Sequence, residues 1–179
     1  LAAGTAGAVT NAGTGTNAGT IASLNNSGGT FGNTGTISGA TTQSGGVITN
    51  TGNLNSTLDV SGGLFDQNTG GSVAGLTTIS GTGIVQNAGS LANVINQAGG
   101  TFTNQSGGTA GGVSNAGIAT NAGTILALTN LAGGDFDNSG IISGAVNNQS
   151  GATFDNLSAG VAGAVTNAGT TTNAGTFAS

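Results

Sequence analysis

Residues 27–37 read SGGTFGNTGTI, residues 44–54 read SGGVITNTGNL and residues 132–142 read AGGDFDNSGII. All three follow one consensus, S/A-G-G-x-F-x-N-x-G-x-I, in which an aromatic or aliphatic residue, a polar residue and a second aliphatic residue keep fixed places. The Ser-Gly or Ala-Gly pair that opens the consensus recurs ten times along the chain, at intervals of 15 to 19 residues. A repeat of this length is typical of a solenoid, in which each repeat forms one coil that stacks on the next.

Three apolar positions recur in each repeat, and the residues at each position form a column. The first column holds Phe31, Ile48, Phe65, Val85, Phe102, Phe136 and Phe154, which include five of the six Phe of the chain. The second column holds Ile21, Ile37, Leu54, Val73, Leu91, Ile125, Ile142 and Phe177, and the third holds Leu58, Leu76, Val94, Val113, Leu128, Val146 and Val165. Three buried positions in 17–18 residues predict one coil of a three-sided, all-β parallel solenoid. About ten such coils would stack at about 4.8 Å, the spacing of strands within a sheet.

A column of asparagines keeps the same register as the apolar columns. It consists of Asn17, Asn33, Asn50, Asn68, Asn87, Asn104, Asn121, Asn138, Asn156 and Asn173. Because an Asn side chain both donates and accepts hydrogen bonds, equivalent residues on successive coils can form a structural ladder along the stack. Gly35 and Gly52, each two residues after an Asn of the column, are expected to supply a positive φ at a tight corner.

The sequence also contains a longer repeat, which spans several coils. Residues 1–23 match residues 157–179 at 19 of 23 positions, with an offset of 156 residues. Nine coils therefore make one superrepeat, and we expect residues 1–179 to be a single solenoid segment taken from a longer rod.

The composition argues against most kinds of chemistry. The 179 residues include no Lys, Arg, His or Cys, and the net charge is −5. Without His or Cys, the common catalytic sets and zinc sites cannot be built. Without Lys or Arg, the chain has no cations to bind nucleic acid phosphates or an anionic membrane surface. We therefore expect no enzyme, no cofactor, no nucleic acid partner and no insertion into a membrane by this segment.

The repeats also resemble a known family. The runs GAVTNAGTGTNAGTIAS (7–23), TGTISGA (34–40) and SGIISGAVNNQSG (139–151) are similar to the passenger repeats of bacterial autotransporters and to filamentous-haemagglutinin-type secreted adhesins. This resemblance implies a right-handed β-helix that is exported to the bacterial cell surface, where it acts as an adhesin stalk or an extracellular fibre. The partners it implies are other copies or further coils stacked end to end, and a host or surface receptor.

The winding direction has an alternative. Ile48, Leu54, Val60 and Phe65 are spaced by about six residues, which also fits a left-handed hexapeptide coil. Acyltransferases of that kind bring His and Lys, which this chain lacks.

Asp135, Asp137 and Asp155 form the candidate metal site of the sequence. Asp66, Asp137 and Asp155 each follow a first-column Phe and should project outward. Asp137 and Asp155 lie on adjacent coils, with Asp135 two residues before Asp137 on the same face. Stacked carboxylates repel one another unless one is protonated or a cation lies between them. Oxygen ligands of this kind suit Ca²⁺, and the alternative is a solvated acidic patch.

Outward threonines give a second candidate function. Thr30, Thr101 and Thr153 share one position of the repeat, and Thr14, Thr36, Thr49, Thr103 and Thr124 lie on nearby strands. Flat threonine arrays resemble the surfaces of ice-binding solenoids, so ice binding is the alternative to a structural role.

Overall fold

The computed structural model describes residues 2–178, so that Leu1 and Ser179, the two ends of the predicted segment, lie outside the described residues. Every regular element in residues 2–178 is a β-strand, and the strands pair in parallel with strands one coil further along the chain. This is the topology of a β-solenoid. The predicted fold class, an all-β parallel solenoid, is confirmed.

One sheet, here called the front sheet, contains ten segments of four residues each. The first segment, residues 14–17, opens strand β2 (Thr14–Asn26). The others are β3 (Thr30–Asn33), β6 (Val47–Asn50), β9 (Leu64–Gln67), β11 (Ile84–Asn87), β13 (Thr101–Asn104), β15 (Ile118–Asn121), β17 (Asp135–Asn138), β20 (Thr153–Asn156) and β23 (Thr170–Asn173). Because side chains alternate along a strand, the second and fourth residues of each segment point into the core, and the first and third point outward.

The other sheet, here called the back sheet, contains the remaining strands. They are β1 (Ala2–Asn11), residues 20–26 of β2, β4 (Thr36–Ile37), β5 (Thr41–Gln43), β7 (Asn53–Leu54), β8 (Leu58–Val60), β10 (Ser72–Ile79), β12 (Ser90–Asn96), β14 (Thr109–Asn115), β16 (Thr124–Asn130), β18 (Ile141–Ile142), β19 (Val146–Asn148), β21 (Val161–Ala162), β22 (Val165–Asn167) and β24 (Thr176–Phe177). Second-column and third-column residues share this sheet. In β10, β12, β14 and β16, one continuous strand carries both columns.

The coils are numbered 1 to 10 by their front-sheet segments. Their lengths range from 16 residues, between Thr14 and Thr30, to 20 residues, between Leu64 and Ile84. The longest coil accommodates a turn that contains Gly70, whose φ is 91°. Length is therefore varied in the turns, while the four-residue front segment is kept in every coil.

The core lies between the two sheets and is narrow. All seven first-column residues named above are buried, and Ala119 fills the same position in coil 7. Phe136 packs on Phe154 with 6.1 Å between ring centroids, and Phe154 lies 6.3 Å from Phe177 of the back sheet. Ala110 and Ala162 complete the second column, where small residues take the place of the larger aliphatic ones.

One third-column assignment is wrong. Thr77, and not Leu76, lies in register with Leu58 on one side and Val94 on the other. Thr77 is fully buried, whereas the Leu76 side chain is 38% exposed on the outer surface. The register of β10 against β12 shifts between Val73 and Leu76, and a shift of one residue moves a side chain to the opposite face of a strand.

The buried hydroxyl of Thr77 leads to a prediction on stability. Its Oγ1 atom has no hydrogen-bond partner. Thr77→Val keeps the shape of the side chain and removes this unpaired hydroxyl, so we expect the free energy of unfolding to rise by about 1–3 kcal/mol. Chemical denaturation measures the change, and Thr78→Val, on the outer face of the same strand, is the control. Equal effects of the two substitutions would contradict the register described here.

The glycines at the corners of the coils serve two different purposes. The positive φ predicted for Gly35 and Gly52 is found at other glycines. Positive φ occurs at the second Gly of the first Ser-Gly-Gly runs, as in Gly29 (63°) and Gly46 (68°), and at the first Gly of the later run, Gly107 (85°). Gly35 and Gly52 do not have positive φ values; at each of them a Cβ atom would lie 2.1 Å from a backbone carbonyl oxygen of the preceding coil. Glycine is needed there because the backbones of adjacent coils approach closely.

Candidate functional site

The amide ladder beside the front sheet forms the edge of the core. In coils 1 to 4, Asn17 Nδ2 donates to Asn33 Oδ1 (2.8 Å), Asn33 to Asn50 (2.7 Å) and Asn50 to Gln67 Oε1 (2.7 Å). The structure places Gln67, and not the predicted Asn68, in this ladder. Gln67 stands two residues after Phe65 and is fully buried, whereas Asn68 follows the strand and is half-buried.

The ladder breaks after Gln67, whose Nε2 donates to Ser90 O (3.4 Å) and not to Asn87. In coils 5 to 10 it resumes with one geometry throughout. Nδ2 of each asparagine donates to Oδ1 of the next at 2.8 Å, through Asn87, Asn104, Asn121, Asn138, Asn156 and Asn173. Every one of these bonds runs in the same direction along the rod. The same amides also donate to backbone carbonyls of the next coil, such as Asn121 Nδ2 to Ile141 O (3.2 Å). The ladder therefore pairs buried polar groups that would otherwise be unsatisfied.

A second ladder, beside the third column, was not predicted. Nδ2 to Oδ1 distances are 2.7 Å from Asn11 to Asn26 and 2.7 Å from Asn96 to Asn115. The ladder then continues from Asn115 through Asn130 and Asn148 to Asn167, with distances of 2.8 to 2.9 Å. The sequence carries the signal for it, because an Asn stands two residues after a third-column residue, as in Val113-Ser-Asn115. This is the spacing of the Phe-x-Asn pattern in the front sheet.

The second ladder is interrupted in coils 3 and 4. Val60 and Ile79 take the ladder position there, and both are buried. As a result, Asn96 Oδ1 has no hydrogen-bond partner, because the preceding ladder position is Ile79. Gln43 Oε1 is unpaired as well, because Asn26 Nδ2 of the preceding coil donates to Gly45 O and not to Gln43. Apolar contacts replace the amide bonds across these two coils.

The predicted acidic site lies on the outer face of the front sheet. Asp137 and Asp155 are in-register neighbours, and Asp135 lies beside Thr153. Thr172 Oγ1 donates to Asp155 Oδ1 at 2.6 Å. Within residues 2–178 no group of three or more His, Cys, Asp or Glu side chains is arranged to hold a metal ion. The surface therefore offers Asp137 and Asp155 as a carboxylate pair, with Asp135 further along its strand.

This carboxylate pair affects the titration of its members. Partial burial raises the pKa of Asp137 above its ordinary value, and repulsion from Asp135 and then from Asp155 raises it further. Protonation of Asp137 is thereby favoured in the folded chain.

We expect acidification to stabilise the fold through Asp137. Because the pKa of this group is higher in the folded than in the unfolded chain, the free energy of unfolding falls as pH rises through the folded value. The gain is complete at pH values below the unfolded pKa. Melting temperatures between about pH 7 and about pH 3 measure the effect, which should be smaller in Asp137→Asn. A larger rise in melting temperature in Asp137→Asn than in the wild type would contradict this assignment.

Calcium binding at Asp135, Asp137 and Asp155 stays a prediction. If the carboxylates share a Ca²⁺ ion, its addition raises the melting temperature, because a ligand that binds only the folded state stabilises it. Asp137→Asn should remove that increase, whereas Asp59→Asn, on the back sheet, should keep it. A melting temperature that responds neither to Ca²⁺ nor to a chelator would refute the site.

Outward threonines form two rows on the front sheet. The row at the first position of each segment contains Thr14, Thr30, Thr101, Thr153 and Thr170. The row at the third position contains Thr16, Thr49, Thr103, Thr120 and Thr172. Thr36 and Thr124 lie on the back sheet, so the predicted threonines do not share one face. Val, Leu, Ile, Asp, Gln and Gly occupy the remaining positions of the two rows and interrupt both.

Two depressions in the surface of the described residues carry no titratable side chain. One, of about 280 Å³, lies on the back sheet beside Leu76, Gly112 and Ala127. The other, of about 300 Å³, lies at the corner beside Gly99, Ile118 and Gly133, among other small residues. In the part of the chain that the structure describes, no helix has the length and hydrophobicity needed to cross a membrane.

Comparisons with models of protein families, with curated proteins and with solved structures find no match to this chain. The structure itself defines the class of this chain: it is a parallel β-solenoid with buried amide ladders beside the apolar core.

Proposed function

We propose that this chain is a structural rod, a segment of a secreted bacterial surface fibre or of the stalk of an adhesin. The observation that carries the proposal is the unbroken parallel hydrogen bonding of the front sheet through ten coils, with an amide ladder beside it. Such a stack resists bending and extension, because all coils share one core and one set of sheets. Its role would be to hold a functional part away from the cell surface.

The composition and the resemblance of the repeats support an extracellular location. A chain without Lys or Arg has no sites for trypsin-like proteases, and one without Cys or Met lacks the side chains that oxidise most readily. The proposed partners are further coils or other copies at the ends of the rod and a receptor on a surface. We propose no enzymatic role, and no surface for nucleic acid.

Rigidity can be tested with two spin labels, since the chain contains no Cys that would compete for labelling. Thr16→Cys and Thr172→Cys place labels nine coils apart, where we expect a narrow distance distribution centred near about 43 Å. The control pair Thr49→Cys and Thr120→Cys lies four coils apart, at about 19 Å. Distances that do not scale with the number of coils, or broad distributions, would overturn the proposal of a rigid rod.

The proposed location needs a separate test. Antibodies raised against the folded chain should label intact cells of the source organism as strongly as permeabilised cells. Labelling that requires permeabilisation would refute surface display, while leaving the rod itself in place.

Ice binding is a second candidate, favoured by the threonines at half of the outward positions of the front sheet. The complete Thr-x-Thr pair is present in coils 1, 6 and 10, at Thr14, Thr101 and Thr170 with their partners two residues later. Thermal hysteresis and ice shaping test it directly. Their absence at millimolar protein would exclude ice binding and leave the structural role.

A further inference from the structure

The charge of this rod is concentrated on one face. Four of the five aspartates, Asp66, Asp135, Asp137 and Asp155, project from the front sheet, and Asp59 lies on the back sheet. With no Lys, Arg or His in the chain, no side chain can form an ion pair with these carboxylates. A second copy of the chain has no side-chain cation to offer either.

The neighbours of these aspartates on adjacent strands are uncharged, apart from one another. Asp66 lies between Thr49 and Gln86, and Asp135 between Ile118 and Thr153. Asp137 lies between Thr120 and Asp155, whose neighbour on its other side is Thr172. Repulsion within the face is therefore limited to the group in coils 8 and 9.

Apart from its carboxylates, the outer face of the front sheet is suited to packing against another sheet. Its strands run in register without a shift, whereas the back sheet has register shifts in β1 and β10. Val47, Leu64 and Ile84 stand side by side on three successive coils, and Ile118 is 59% exposed. Flat sheets with exposed aliphatic side chains associate readily unless charges oppose it.

We propose that the outer face of the front sheet is a docking surface for a second copy of this chain, and that the ionised carboxylates of Asp66, Asp135, Asp137 and Asp155 keep the two copies apart. Face-to-face packing removes these carboxylates from water with no cation to compensate them, which is unfavourable whether the rods run parallel or antiparallel. Protonation of the four aspartates makes them neutral and so removes this unfavourable burial of charge. The rods then pair side by side, an arrangement separate from stacking at the ends.

The area available is sufficient for such a pair. The nine spacings of about 4.8 Å between ten strands and the four residues of about 3.3 Å give a face of about 570 Å² per copy. Two faces together bury about 1,100 Å², which is near the lower end of the range for specific interfaces that persist in solution. A surface of this size forms a weak dimer, whose formation four unpaired charges can prevent.

Sedimentation at neutral pH tests the proposal with a variant that carries all four changes Asp66→Asn, Asp135→Asn, Asp137→Asn and Asp155→Asn. We expect this variant to dimerise about a hundredfold more tightly than the wild type, since unfavourable charge at an interface costs this much affinity. Asp59→Asn, which removes a charge from the back sheet, should sediment like the wild type. Acidifying the wild type should reproduce the dimer.

Cross-linking identifies the face that is used. Thr103→Cys near the middle of the front sheet should react between copies, in the fourfold variant, with a thiol cross-linker of about 10 Å, the distance between packed sheets. Ser114→Cys on the back sheet of the same coil should not. The proposal is overturned if the fourfold variant stays as monomeric as the wild type, or if it associates without a cross-link at position 103.

Discussion

Phe102→Asp is expected to destabilise the chain by about 5 kcal/mol or more, enough to abolish a folded core in the middle coils. Phe102 is fully buried in the front sheet between Val85 and Ala119. The substitution removes the packing of an aromatic ring and places a carboxylate in a narrow apolar core that contains no cation. Thermal unfolding followed by circular dichroism measures the loss.

Thr103→Asp is the matched control for this variant. Thr103 is the next residue on the same strand, but it points outward and has Gln86 and Thr120 as neighbours. The same charge is introduced there without burial, so we expect a change within about 0.5 kcal/mol. If both variants unfolded at the same denaturant concentration, the first column would not lie inside the solenoid.

The solenoid could be predicted from the sequence because its spacing repeats in every coil. Phe31, Phe65 and Phe102 recur at steps close to the length of one coil, and only a stacked arrangement brings such residues into one column. The error at Leu76 shows the limit of this reasoning. The column contains a buried Thr77 where an apolar residue was expected, and hydrophobicity alone then selects the adjacent leucine.

The amide ladders also could be predicted only in part from the sequence. A column defined by asparagine selects Asn68, whereas the structure keeps the position constant and places Gln67 there. A shift of one residue reverses the face of a strand, so residue type alone cannot determine the register. The second ladder was missed because Val60 and Ile79 interrupt it.

The acidic face was only partly predictable. The alternation along Asp135-Phe136-Asp137 placed both carboxylates outward, and the structure places Asp155 beside Asp137. The position of Asp66 directly after Phe65 also predicted its outward direction, and the structure places it on this face in coil 4. The sequence did not reveal that Val47, Leu64 and Ile84 form a contiguous apolar strip on it. Those relations depend on the length of each turn, which varies from coil to coil.

Asn121→Asp should destabilise the fold by about 3–5 kcal/mol at neutral pH, because it leaves a buried charge without a partner. Asn121 is almost fully buried, and its Nδ2 donates to Asn138 Oδ1 and to Ile141 O. A carboxylate cannot donate to either acceptor and places an oxygen against both of them. Chemical denaturation gives the difference in unfolding free energy.

Asn147→Asp makes the same substitution at an exposed position of β19, where the side chain points outward, and should have little effect. The two variants should also respond differently to acid. Burial favours the protonated form of an aspartate at position 121, so its pKa rises above the unfolded value, and stability lost at neutral pH returns as pH falls through it. The protonated carboxyl can again donate to Asn138. A deficit at position 121 that stayed constant from about pH 7 to about pH 3 would mean that the lost amide bonds, and not the buried charge, determine the stability of the ladder.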